Sequence, residues 1–186
     1  MLVNITEAQR QAAWTQTYTG KAFKPLAPRA EDICIEDIAH GLDMQCRYNG
    51  QCKAHYSVAA HSLTVSYLVP PEHALSGLMH DASEAYITDI PGPIKFAMPD
   101  YLEIENGIMR AIAEYVGPRM QYPLPVCVNV ADKQSLMNEY PILMAPPPQP
   151  WAYEMLAEPH VVEMIRGYAG HSVEREFLAR YRELTQ

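Results

Sequence analysis

The sequence predicts an all-α fold in a single domain. Three observations carry that expectation. Apolar residues recur at helical spacing in six successive segments, and proline-containing or Asn-Gly stretches separate them. The one stretch with strand propensity, Val126-Cys127-Val128, runs into residues that keep the helical period. A chain of 186 residues, 48% of them hydrophobic, suits one core rather than two.

Taken in order, residues 1–30 read as a loose lead-in, loosest over 1–16, with a turn at Tyr18-Thr19-Gly20-Lys21 and extended backbone at Pro25 and Pro28. The first helix is expected over 35–46, where Ile35, Ile38, Ala39, Leu42 and Cys46 share a face, and it stops before the Asn49-Gly50 turn. A second runs from about Tyr56 to Leu68 with Val58, Val65 and Leu68 on its apolar side, until Pro70 and Pro71 break it. Pro71-Glu72 suits the opening of a third helix, which should continue to Ile87, ahead of Pro91 and Pro93. Asp100 with Glu103 has the form of a capping box for a fourth, striped by Tyr101, Ile104, Ile108, Ile112 and Tyr115 and stopped at Gly117. A fifth covers 126–139, with Asp132, Leu136 and Glu139 in period. Residues 145–151 form a stiff Pro-rich loop, and a sixth helix covers 171–184 through Val173, Phe177 and Tyr181.

The formal net charge of −8 argues against a broad nucleic-acid surface, though a few placed cations can still receive a phosphorylated small molecule. The first fourteen residues lack the basic start and apolar run of a signal peptide, and no apolar stretch approaches a membrane span, so the expectation is a cytoplasmic protein without a membrane partner. Cys34, Cys46, Cys52 and Cys127 form no CxxC pair and read as reduced thiols.

Chemistry is concentrated at His80, Asp81, Glu84 and Asp89, which follow directly on the apolar run Ala74–Met79. Ionisable groups are costly in such a setting unless paired or bound to a metal. In a continuous helix, His80 and Glu84 are four apart and Asp81 and Glu84 three apart, so they would be neighbours. His61 from the preceding helix and Asp132 from a later one could complete two imidazoles and two carboxylates, a set suited to a borderline divalent transition metal. Arg47 and Lys95 each sit beside a turn able to aim a cation inward, and both residue types take phosphate oxygens. Tyr48 could stack on a base, crowd a 2′-hydroxyl or simply pack; His55 could touch phosphate. Trp14, Phe23, Phe96, Met98, Met137 and Tyr140 are further candidates for a base pocket. Glu139 shares a helix face with Asp132 and could hydrogen-bond within the site, while His40 reads as structural.

On these residues the chain resembles the HD-domain phosphohydrolases, whose signature is a separated His, a His-Asp pair and a distant Asp. Tyr56-Ser57-Val58-Ala59-Ala60-His61-Ser62 is similar to the first-histidine helix of that family. His80-Asp81-Ala82-Ser83-Glu84-Ala85-Tyr86 with Thr88-Asp89-Ile90-Pro91-Gly92-Pro93-Ile94-Lys95 is similar to the bacterial and phage 5′-deoxynucleotidases, and Ala131-Asp132 matches the distant aspartate. Tyr18-Thr19-Gly20-Lys21, Asp37-Ile38-Ala39-His40 and Cys46-Arg47-Tyr48-Asn49-Gly50 resemble a phage and prophage branch that includes dATP triphosphohydrolases.

The resemblance implies an HD-type helical bundle. It implies that His61, His80, Asp81 and Asp132 bind one or more divalent ions (Co, Mn, Zn, Fe or Mg), that Glu84 and Asp89 are catalytic, and that Arg47 and Lys95 hold phosphate. The implied substrate is a small-molecule nucleotide, with dATP or dAMP the best single guess, in the cytoplasm of the host if the chain is phage-encoded. Family members often form homo-oligomers, and the final helix could be an interface or could close the core. Two alternatives stay open: hydrolysis of cyclic nucleotides or alarmones, and a non-catalytic nucleotide sensor.

Overall fold

The first helix, α1 (Glu7–Ala12), begins at a capping box that the sequence shows but the periodicity misses. The Thr6 hydroxyl accepts from the Gln9 amide, and the Gln9 side chain accepts from the Thr6 N–H. In the computed structural model, residues 5–150 and 158–186 are described. The end of the Pro-rich loop at Trp151 and the first four residues of the lead-in fall outside them.

A two-residue antiparallel pair, β1 (Thr15–Gln16) and β2 (Ala22–Phe23), flanks the expected Tyr18–Lys21 turn. Gly20, at φ +86°, supplies the left-handed position. The turn is fastened to α2 (Ile35–Met44), where the Asp37 carboxylate accepts from the Thr19 N–H at 2.7 Å and from its hydroxyl at 2.9 Å. The other strand anchors the core: Phe23 is fully buried and stacks on Tyr86 with ring centroids 4.0 Å apart.

The remaining helices are α3 (Val58–Leu68), α4 (Ala74–Leu78), α5 (Glu84–Ile87), α6 (Gly92–Lys95), α7 (Pro99–Val116), α8 (Val126–Leu143), α9 (Pro159–Tyr168) and α10 (Glu174–Thr185). The fold is all-α, as predicted. Every residue of α3 from Val58 to Ser66 is buried, because α2, α4, α8, α9 and α10 all pack on it. A helix apolar on every side belongs at the centre of a bundle. His61 is carried on it. None of the described helices is long and apolar enough to cross a membrane.

Three expectations are corrected. The third predicted helix is not continuous: α4 ends at Leu78, residues 79–83 are turns, and α5 begins at Glu84. The His80 imidazole takes the Gly77 carbonyl at 2.8 Å, and the local backbone bonds tighten to i→i+3, as in Ala82 N–H to Met79 O and Glu84 N–H to Asp81 O. The fourth helix starts at Pro99 with no side-chain cap, since proline needs no N–H partner there; the Asp100–Glu103 capping box does not form. The fifth helix runs on to Leu143, with Pro141 tolerated in its last turns, and the unpredicted α9 buries Val161 and Ile165, one turn apart.

Two contacts fix how α2 meets its neighbours. A Cβ on Gly41 would stand 2.9 Å from the Ala85 carbonyl oxygen, so glycine lets α2 and α5 touch backbone to backbone. Asp43 accepts from the Ser57 and Ser172 hydroxyls and the Val173 N–H, joining the end of α2 to the starts of α3 and α10.

Candidate metal centre

His61 reaches the centre from α3, His80 and Asp81 from the turns between α4 and α5, and Asp132 from α8. The two Nε2 atoms lie 3.2 Å apart. Asp132 Oδ1 is 3.1 Å from His61 Nε2, and Asp81 Oδ2 is 3.1 Å from His80 Nε2 and 3.7 Å from His61 Nε2.

The other ring nitrogens decide the tautomers. His80 Nδ1 faces the Gly77 carbonyl, which can only accept, so Nδ1 carries the proton. His61 Nδ1 lies 2.7 Å from a carboxylate oxygen of Glu139 and donates to it. As neutral rings, both histidines then turn an Nε2 lone pair toward the same point, where Asp81 Oδ2 also lies, while Asp132 Oδ1 stands against His61. Three acceptors meet with no donor among them, which only a cation or an added proton can reconcile. His61, His80 and Asp81 have ligand atoms close enough for one ion, and Asp132 touches His61. A donor set of two imidazole nitrogens and one carboxylate oxygen suits a divalent transition metal.

Behind His61, Glu139 is fully buried and accepts from the Ser135 hydroxyl at 2.7 Å, the Tyr48 hydroxyl at 2.8 Å and Arg47 Nε at 3.0 Å. Burial works to raise its pKa, but the Arg47 and His61 charges outweigh that and hold Glu139 ionised. A carboxylate behind a ligating imidazole fixes both its tautomer and its orientation.

No family model matches the chain. Over 129 residues it is 42% identical to the uncharacterized protein YfdR of Escherichia coli K12, a match covering 68% of this chain and 70% of that one. The chain belongs to the YfdR family. A second relative, an uncharacterized protein of Rhodobacter capsulatus, is 35% identical over 139 residues, covering 68% of this chain and 71% of its own.

In this YfdR-family chain Glu84 lies near enough to Asp81 and to Asp89 to feel both charges. Glu84 is 3% exposed; its Oε1 accepts from Lys95 Nζ at 3.0 Å, and its Oε2 has no hydrogen-bond partner. Burial and the Asp81 and Asp89 charges push its pKa well above the usual carboxylate range, against the pull of Lys95. Asp89 is half-buried, its N–H bound to Gln45 Oε1.

The cations expected to hold phosphate are engaged within the protein. Arg47 contacts Glu139, and Lys95 bridges Glu84 and Glu105, the latter at 2.8 Å. Tyr48 joins Arg47 on Glu139. His55 is not brought in: it is exposed, and it contributes a carbonyl to the Gly170 N–H. Phe23 is excluded from any base pocket by its burial, and Met137 is also buried, whereas Trp14 and Phe96 are exposed. His40 stacks on Tyr18 and bonds Glu174, far along the chain from the cluster.

Sequence reasoning missed Glu105, Ser135 and Gln45. Ser135 was accessible, since it lies three residues after Asp132 and four before Glu139 on one helical face. The other two depend on packing between segments.

A pH dependence follows from His61. Burial and the Arg47 charge oppose its protonation, but Glu139 and Asp132 outweigh them and raise its pKa to about 9. A folded value above the unfolded value of roughly 6.5 gives stability that is complete below that pH and lost as pH rises through about 9, on the order of 3 kcal/mol in all. In chelator, the urea-unfolding difference between the natural chain and His61→Gln should shrink across that window; a difference constant with pH would refute it.

Proposed function

We propose that the chain is a divalent-metal-dependent phosphohydrolase of the HD type, cytoplasmic, cleaving the 5′ phosphate or triphosphate from a deoxynucleotide, with dATP or dAMP the leading candidates. The observation that carries this is the meeting of three acceptors from His61, His80 and Asp81, with Asp132 against His61, beside a buried carboxyl, Glu84, with one oxygen unpartnered. Those four residues would hold the ion. When bound, it would supply Lewis acidity toward a phosphoryl oxygen and lower the pKa of water.

The chain's own residues would do the rest. Glu84 holds a proton above the usual carboxylate range and could give it to the departing 5′ oxygen. Asp89 could take a proton from the attacking water. Lys95 has three N–H donors and Arg47 five, and their contacts with Glu84, Glu105 and Glu139 leave others for phosphate oxygens. Tyr48, held by its hydroxyl on Glu139, would present its ring beside that phosphate site.

The test is a panel of deoxy- and ribonucleoside mono- and triphosphates with Mn, Co, Zn, Fe and Mg, products resolved by chromatography. Triphosphate from dATP, or phosphate from dAMP, is the expected result. Nucleotide binding without turnover across the whole panel would replace this reading with that of a sensor.

A further inference from the structure

We propose that Gln45 is a positioning residue that sets the distance between the Glu84 and Asp89 carboxylates. The proposal rests on the reading that these two handle the protons. Glu84 is the first residue of α5, and Asp89 lies beyond its end, so a continuous helix does not fix their separation. Between them Thr88 adopts φ +76°, which a β-branched residue disfavours. Something outside the segment must hold that kink.

Gln45 spans it. The side-chain NH2 donates to the Glu84 carbonyl at 2.9 Å and to the Gly41 carbonyl at 3.0 Å, while Oε1 accepts from the Asp89 N–H at 2.9 Å. One planar amide therefore grips Glu84, one turn before the kink, and Asp89, the residue after it, and ties both to the last turn of α2. The Glu84 carbonyl also accepts from the Thr88 N–H at 2.8 Å, closing the turn from inside. The backbone carbonyl of Gln45 accepts from the Val58 N–H at 3.0 Å, at the first residue of α3, which carries His61 one turn later. Gln45 thus relates both carboxylates to the helix bearing a metal-ligand candidate without touching the cluster.

The chemistry requires an amide. Glutamate would keep the acceptor for Asp89 N–H, but it would lose the donors and set a charge against two carbonyl oxygens. Methionine has a similar length and neither function.

The test measures Gln45→Met and Gln45→Glu three ways: steady-state kinetics on the best nucleotide, Mn²⁺ affinity by calorimetry without nucleotide, and amide hydrogen exchange at Asp89. For Gln45→Met, kcat should fall roughly 10²-fold with KM and Mn²⁺ affinity held within about two-fold, as expected of a misplaced catalytic group. The Asp89 amide should exchange faster. Gln45→Glu should lose kcat similarly yet keep Asp89 protected. An unchanged kcat, or Mn²⁺ affinity falling in step with kcat, overturns the proposal. Should the natural chain turn over no nucleotide, the functional reading fails on its own, and Asp89 exchange alone decides the clamp: faster exchange in Gln45→Met supports it and unchanged exchange overturns it.

Discussion

Glu84→Gln is expected to lower kcat for phosphate release by about 10² to 10⁴ while the divalent ion stays bound with its affinity intact. Glutamine copies the shape of a protonated carboxyl, which is the form that burial and the Asp81 and Asp89 charges favour at this position. Its amide oxygen can still accept from Lys95, so the Lys95–Glu105 arrangement and the fold should survive. What it cannot do is hand over a proton. Asp81→Ala should lose phosphate release as well, but together with the ion, because Asp81 contributes one of the three converging ligand atoms. Metal analysis beside product assays separates the two. Full activity in Glu84→Gln would remove Glu84 from the mechanism, and retained metal in Asp81→Ala would remove Asp81 from the ligand set.

The largest expected loss of stability is at Glu139. Glu139→Leu leaves the Arg47 guanidinium in a mostly buried site without its carboxylate, and three further hydrogen bonds, from Tyr48, Ser135 and His61, go with it. Removing one partner of a buried ion pair costs about 3–5 kcal/mol, which urea unfolding should register as a lower midpoint at unchanged slope. The conservative Glu139→Gln keeps an acceptor for His61 Nδ1 and should fold. It should weaken metal binding by about 10- to 100-fold, the usual effect of disturbing a ligand's supporting hydrogen bond. Wild-type metal affinity in that variant would mean that His61 is not a ligand, or that Glu139 does not orient it.

These two positions differ in how they could be read. Glu84 stood out because a carboxylate follows an apolar run, His80 and Asp81 within a few residues. Glu139 could be placed near the cluster through its helical period with Asp132, but its four partners come from α3, α8 and the 46–48 segment. Arg47 shows the same limit from the other side. An isolated cation beside a turn was legible as pointing inward, and it does; that it meets Glu139 there depends on how α8 packs against α3, which follows the Arg47 segment. The periodicity also assumed that His80, Asp81 and Glu84 share one helix. Tight turns separate them, since the His80 ring takes a carbonyl that a continuing helix would have used.

What the sequence by itself determined is local: most of the helical segments, though not α1, α9 or the break between α4 and α5, and the residue types able to bind a metal and move protons. Spacing of three and four along a chain encodes a helix face, and an ionisable group within an apolar run shows its own cost. The tertiary structure alone decided which of those groups meet. His61 faces His80 and Asp132, and Gln45 reaches both Glu84 and Asp89, because α4 and α8 pack onto α3 and α5 onto α2, while Lys95 sits between Glu84 and Glu105 where α6 meets α7. Such contacts are set by the shape of the whole core, to which every segment contributes and which no short window of residues contains.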